Sequence, residues 1–173
     1  MQYRSLRRYC DAQVNRLERE VGIPHPFDLG TLISRVADWR GRPIHLLPYD
    51  HLAGAVCGLW LALPDADVIG FARTTPLLEE HTVLHELGHM LCDHRGTGDP
   101  GSDVARQLTP DLDPALVRRF LGRTSYSDTD EQQAEMIATL IMQKVADRRP
   151  RADAPARPGL RAELDRLSST FDG

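Results

Sequence analysis

His85 and His89 stand four residues apart, with Glu86 between them. In a helix of 3.6 residues per turn, such histidines project from one face, one turn apart. Both imidazoles can then reach a single zinc ion at about 2.0–2.1 Å. Glu86 lies about 100° round the helix from His85, so it stands beside the metal without ligating it. There it can take a proton from a water whose pKa zinc has already lowered. This is the mechanical content of a His-Glu-x-x-His segment. A helix with two incidental histidines would carry the same letters. Here Val83, Leu84, Leu87, Met90 and Leu91 make the remaining face apolar, and Gly88 permits close approach of another backbone.

Catalytic zinc takes three protein ligands and keeps one position for water. His81 lies a further turn back, about 6 Å along the axis, which is out of reach. Cys92 could point toward the metal, although a buried core thiol is the commoner role for such a residue. The metzincin extension, His-x-x-Gly-x-x-His, fails: Cys92 stands at the glycine position, Arg95 at the last ligand position, and His94 is one residue out of register. The later segment Asp130–Ala138 offers Glu131 and Glu135, four residues apart on a face with Ala134 and Ala138. Small residues there would let that helix lie close to the histidine helix. Glu131 is expected to complete a His₂Glu set. Glu135 is expected to accept the outer ring N–H of a ligating histidine. Without the histidine helix, both would read as solvated acids near a helix N-terminus, where acids are favoured.

Two segments resemble the ImmA/IrrE metallo-endopeptidases. Val83-Leu84-His85-Glu86-Leu87-Gly88-His89-Met90-Leu91 is similar to the family's aliphatic His-Glu-Leu-Gly-His helix, and Glu131-Gln132-Gln133-Ala134-Glu135-Met136-Ile137-Ala138 to its Glu-x-x-Ala-(Asn/Asp)-x-Phe-Ala helix. The likeness covers roughly residues 25 to 146. It implies zinc held by His85, His89 and Glu131, with Glu86 as base. It also implies a helix-turn-helix transcriptional repressor as substrate, and some family members are toxin–antitoxin components. Glu135 stands where the family has Asn or Asp, and Ile137 where it has Phe.

These groups need elements to position them. Leu6, Tyr9, Cys10, Val14, Leu17 and Val21 recur at helical spacing, predicting a helix over 5–21 that Gly22 stops. Asp28 can cap a second helix carrying Leu29, Leu32, Ile33, Val36 and Trp39, ended by Gly41 and Pro43. Ile44–Leu47, Ala55–Leu63 and Asp67–Ala72 read as strands, the last two joined by a turn at Pro64-Asp65-Ala66. The histidine helix should run from Thr75 or Pro76 to about Cys92. A Gly/Asp/Pro-rich loop over Gly96–Asp103 and a short helix over Pro114–Leu121 follow. The glutamate helix should open at Asp128 or Thr129, with Thr129 and Gln132 as capping box, and end near Ala146. The fold expected is α+β and zincin-like: one domain over 1–146 with a small three-stranded sheet. Residues 147–173 are expected to be an Arg/Pro-rich linker and a short C-terminal helix, at Leu160–Leu167, or tail.

The 173 residues can bury a core without disulfides. A net charge of −4 argues against direct nucleic-acid binding. The three dispersed cysteines fit reduced thiols, and no apolar run nears the roughly 20 residues of a membrane span, nor does an apolar secretory segment follow Met1, so a cytoplasmic location is expected. The reaction expected is zinc-dependent peptide hydrolysis of a specific cytoplasmic protein. Tyr126 and His94 are candidate oxyanion donors, with Tyr126 equally suited to packing. Asp67–Ala72 could accept an extended substrate as an added strand. The rival reading is a non-hydrolytic zinc-containing regulatory or toxin–antitoxin component that acts by binding a DNA-binding partner. The oligomeric state is left open.

Overall fold

The computed structural model describes residues 3–49, 57–62, 65–94 and 126–148. Helix α1 (Tyr3–Glu20) buries Leu6, Cys10, Val14 and Leu17, the stripe set by the sequence period. Helix α2 (Leu29–Arg40) opens where the Asp28 carboxylate accepts the Thr31 N–H at 2.7 Å. It closes on Gly41 in the left-handed conformation, φ 68°. Helix α3 (Pro76–Leu91) carries the histidines, with Pro76 at its first turn. Helix α4 (Asp128–Arg148) carries Glu131 and Glu135.

The sheet has three strands, β1 (Ile44–Tyr49), β2 (Gly58–Ala62) and β3 (Asp67–Ala72), in the order β1-β3-β2. β3 runs parallel to β1, with Ile44 opposite Asp67, and antiparallel to β2, with Gly58 opposite Phe71. The architecture is α+β, with four helices and one small mixed sheet among the described residues.

Several expectations need correction. β1 does not stop before Pro48 but continues through it to Tyr49. β1 lies at the sheet edge, where a residue without an N–H is tolerated. β3 is not an edge: both its sides are paired, so Asp67–Ala72 has no free backbone for an added strand. α4 is not capped by Thr129 and Gln132. Ser127 Oγ accepts the Asp130 N–H at 3.2 Å, and Asp130 Oδ2 accepts the Ser127 N–H at 3.3 Å. This is a capping box two residues earlier, closed by an aspartate in place of the usual Glu or Gln. α4 also extends to Arg148, past Ala146. The predicted loop over 96–103, the helix over 114–121 and the helix over 160–167 lie outside the described residues.

α3 packs against β2 and β3 on one side and against α4 on another, and α1 packs against α4. Val83, Leu84, Leu87 and Met90 of α3 join Leu6, Val14, Leu32, Val36, Ile69, Ile137 and Ile141 in one core. Asp67, the first residue of β3, is fully buried. Trp60 Nε1–H donates to it at 3.0 Å, and Arg40 and Arg42 stand at 3.2 and 3.0 Å. The buried carboxylate is therefore paired, as burial of a charge requires.

α3 and α4 meet backbone to backbone at Gly88 and Ala134. A Cβ on Gly88 would stand 2.9 Å from Ala134 Cα and 3.0 Å from its carbonyl oxygen. Both opposing atoms are backbone, so a side chain here must push the helices apart. Gly88→Ala is expected to destabilise the fold by about 1–3 kcal/mol, as overpacking does in a filled core. A urea unfolding curve for the variant checks this; an unchanged midpoint and slope would show that the helices part freely.

Candidate metal centre

Helical periodicity places His85 and His89 on one face of α3, and the contact at Gly88 brings α4 across that face. His85 Nε2 and His89 Nε2 stand 3.0 Å apart. Glu131 Oε2 lies 3.2 Å from His85 Nε2 and 3.8 Å from His89 Nε2. These three atoms form the one group of metal-capable donors among the described residues. Donors at 2.0–2.1 Å from a tetrahedral ion stand about 3.3–3.4 Å from one another. The observed edges bracket that value, so the triangle has the dimensions a metal ion needs. Two ring nitrogens and a carboxylate can hold a metal ion here.

Glu86 is absent from the triangle. Its side chain is turned toward the sheet, where the Trp60 backbone N–H bonds it. A Cβ on Gly58 would lie 2.7 Å from Glu86 Oε1 and 2.5 Å from Thr82 Cγ2, so β2 presses against α3 where it carries no side chain. Glu86 is 5% exposed, and its Oε2 has no hydrogen-bond partner among the described residues. Burial, and after it the Glu131 charge, push this carboxyl up to about 8, against the opposing effect of the Trp60 N–H. A cation in the triangle would favour the ionised carboxylate and offset both.

His89 is fully buried. Burial first, then the neighbouring His85 and His94, push it down to about 3, so its ring is neutral and able to ligate. His85 Nδ1 faces Glu135 Oε2 at 3.4 Å, and Glu135 Oε1 meets His81 Nε2 at 3.2 Å. Glu135 thus stands behind His85, where a carboxylate can accept the outer N–H. His81 stays outside the triangle.

His94, a candidate oxyanion donor, does not face the triangle. Its Nδ1 meets His89 Nδ1 at 2.9 Å and its Nε2 meets Gln133 Oε1 at 3.0 Å, both on the far side of the His89 ring. Tyr126 stacks on His89, with ring centroids 3.6 Å apart and planes 16° from parallel, so packing is its visible role. Cys92 is half-buried against the core and bonded to Tyr9. Burial raises its thiol, which keeps it protonated and a poor ligand.

Three contributors carried little sequence signal. Gln133 is buried between α4 and His94, and Gly58 and Trp60 receive Glu86. The one visible hint at Gln133 was a polar residue beside Ala134 on the inward side of α4. The triangle opens into a cleft of about 330 Å³ lined by Cys57, Gly58, His81, Glu86, Tyr126 and Glu135. A larger groove of about 620 Å³, walled by Leu6, Met136 and Leu140, meets it at His85 and Glu131. Comparison with protein-family models, characterised proteins and solved structures finds no match to this chain.

The geometry sets an order of effects. Glu131→Ala removes a donor and should nearly abolish metal uptake, as should His89→Ala. Glu135→Ala should weaken uptake by about 10–100-fold through His85. Metal content of untagged protein, followed by titration, measures all three; a larger loss in Glu135→Ala than in Glu131→Ala would reverse the two roles.

Proposed function

We propose that this chain is a zinc-dependent endopeptidase. The observation that carries the reading is the separation of duties on α3. Three donor atoms form a triangle with edges of 3.0–3.8 Å, while the neighbouring Glu86 carboxyl is buried beside them and takes no place in it. A His₂Glu set with an open side is the donor chemistry of catalytic zinc. When bound, zinc supplies Lewis acidity toward water and the scissile carbonyl. Glu86 accepts the proton of the attacking water and returns it to the leaving amine. The Gly58 contact and the Trp60 N–H hold that carboxyl at one height along the cleft. His85 and His89 aim Nε2 inward, because Glu135 and His94 occupy their outer nitrogens. The cleft wall at Gly58–Leu59 belongs to β2, an edge strand among the described residues, whose outer side can receive an extended peptide.

The narrower reading, a helix-turn-helix repressor as substrate in the cytoplasm, is supported by the resemblance of the His85–His89 and Glu131–Ala138 segments. Among the described residues no helix is long and apolar enough to cross a membrane.

Glu86→Gln should retain zinc while hydrolysis falls by about 10²–10⁴-fold, the usual weight of a general base. The assay is cleavage of candidate repressors, casein and a peptide library by zinc-loaded protein, read by mass spectrometry. Cleavage of a repressor alone supports the narrow substrate reading, and rapid casein digestion removes it. Zinc binding with no cleavage of any substrate replaces the enzyme by a zinc-containing binding protein.

A further inference from the structure

On a continued α-helix, His94 would sit about 500° on from His89, which is about 140° round the axis and well away from its ring. The chain does something else. Asp93 adopts the left-handed conformation, φ 51°. The His94 N–H donates to the His89 carbonyl at 3.0 Å and the Asp93 N–H to the Met90 carbonyl at 3.2 Å. This is the paired bonding of a Schellman turn, with aspartate where glycine is usual. The turn reverses the chain and lays the His94 ring beside the ring of the residue that accepts its N–H.

We propose that His94, held by Gln133, is a positioning residue that fixes His89 as the Nδ1–H tautomer, so that the His89 Nε2 lone pair faces the donor triangle. The use of that lone pair by zinc rests on the reading above; the tautomer does not.

Two nitrogens 2.9 Å apart must divide their roles, one carrying the hydrogen and the other the lone pair. The far side of His94 decides which. Its Nε2 lies 3.0 Å from Gln133 Oε1 and 3.6 Å from Asp130 Oδ1. The Gln133 amide oxygen only accepts, so Nε2 carries the hydrogen. With that one hydrogen on the His94 ring, Nδ1 is then the acceptor. His89 Nδ1 must donate to it, which leaves His89 Nε2 without a hydrogen. The three members of the chain are 0%, 8% and 8% exposed at His89, His94 and Gln133, so water is poorly placed to substitute for a lost partner. Tyr126 covers one face of the His89 ring and resists its rotation. His85 is served differently, by the half-exposed carboxylate of Glu135. The two histidines of one site are thus oriented by unlike devices: a carboxylate at the cleft and a buried imidazole–amide pair.

The test uses the full chain. Asn places its Oδ1 where histidine has Nδ1, and Leu has the shape of Asn without the acceptor. Zinc affinity, measured by competition with a chromogenic chelator, should fall about 10–100-fold in His94→Leu and stay within about threefold of the parent in His94→Asn. Gln133→Met should weaken binding, and Gln133→Glu, which keeps an acceptor for His94, should restore it. Long-range ¹H–¹⁵N spectra of the metal-free parent should show His89 as a single Nδ1–H tautomer, lost in His94→Leu. Circular dichroism and the thermal midpoint report whether each variant folds; the spectrum of the parent decides the tautomer if one does not. An Nε2–H tautomer at His89 in the parent overturns the proposal, as does equal weakening of zinc binding by Asn and Leu in folded protein. A parent chain with the Nδ1–H tautomer but no zinc uptake overturns the zinc reading and upholds the tautomer assignment.

Discussion

Where α3 crosses α4, Gly88 and Ala134 meet with no side chain between them: a Cβ on Gly88 would stand 2.9 Å from the facing Cα. Close-packed helices ordinarily stand 8–10 Å apart, at distances set by the side chains at their contact. Glycine against alanine allows the near end of that range. Glu131 sits three residues before Ala134, about one turn away, so the contact fixes how far its carboxylate reaches toward His85 and His89. A wider spacing would leave two histidines facing solvent and a glutamate on a separate helix. The donor triangle is therefore a consequence of backbone contact elsewhere on the same two helices.

A second constraint is electrostatic. Glu86, His89, His94 and Gln133 are polar groups inside or against an apolar core, and each would be costly there without a partner. Three of them partner one another in a chain from Gln133 through His94 to His89. Glu86 has one bond from the Trp60 N–H, with one oxygen left without a hydrogen bond among the described residues. The His89 side of the site thus has its polarity satisfied behind the donor triangle.

The sheet contributes by shape. β3 occupies the centre, held by β1 and β2, and Asp67 at its start ties Trp60 to Arg40 and Arg42. Trp60 joins the two regions: its indole anchors in this buried cluster while its backbone N–H holds Glu86. Gly58 leaves the room that the Glu86 side chain fills.

The sequence by itself determined the local parts. The 3.6-residue period gave α1, α2, α3 and α4 nearly to their ends, and it set His85 and His89 on one face with Glu86 beside them. Small residues at Gly88, Ala134 and Ala138 signalled that α3 and α4 would meet, which made Glu131 a reasonable third donor. Tertiary structure decided the rest. Strand order put β3 in the middle, because pairing depends on how the chain crosses between β1 and β2, which no strand's own composition encodes. The cap of α4 fell to Ser127 and Asp130, since competing caps two residues apart differ by little and packing selects one. His94 fell outside the metzincin ligand register, with no glycine before it to make a turn, and was left as a candidate oxyanion donor. An aspartate in the left-handed conformation makes the turn at Asp93 and brings His94 back. Its partner Gln133 lies 39 residues further on, and its role exists only once α4 has docked. Periodicity is written in neighbouring residues and can be read from them; the partner of a buried polar group is fixed by which distant element closes over it.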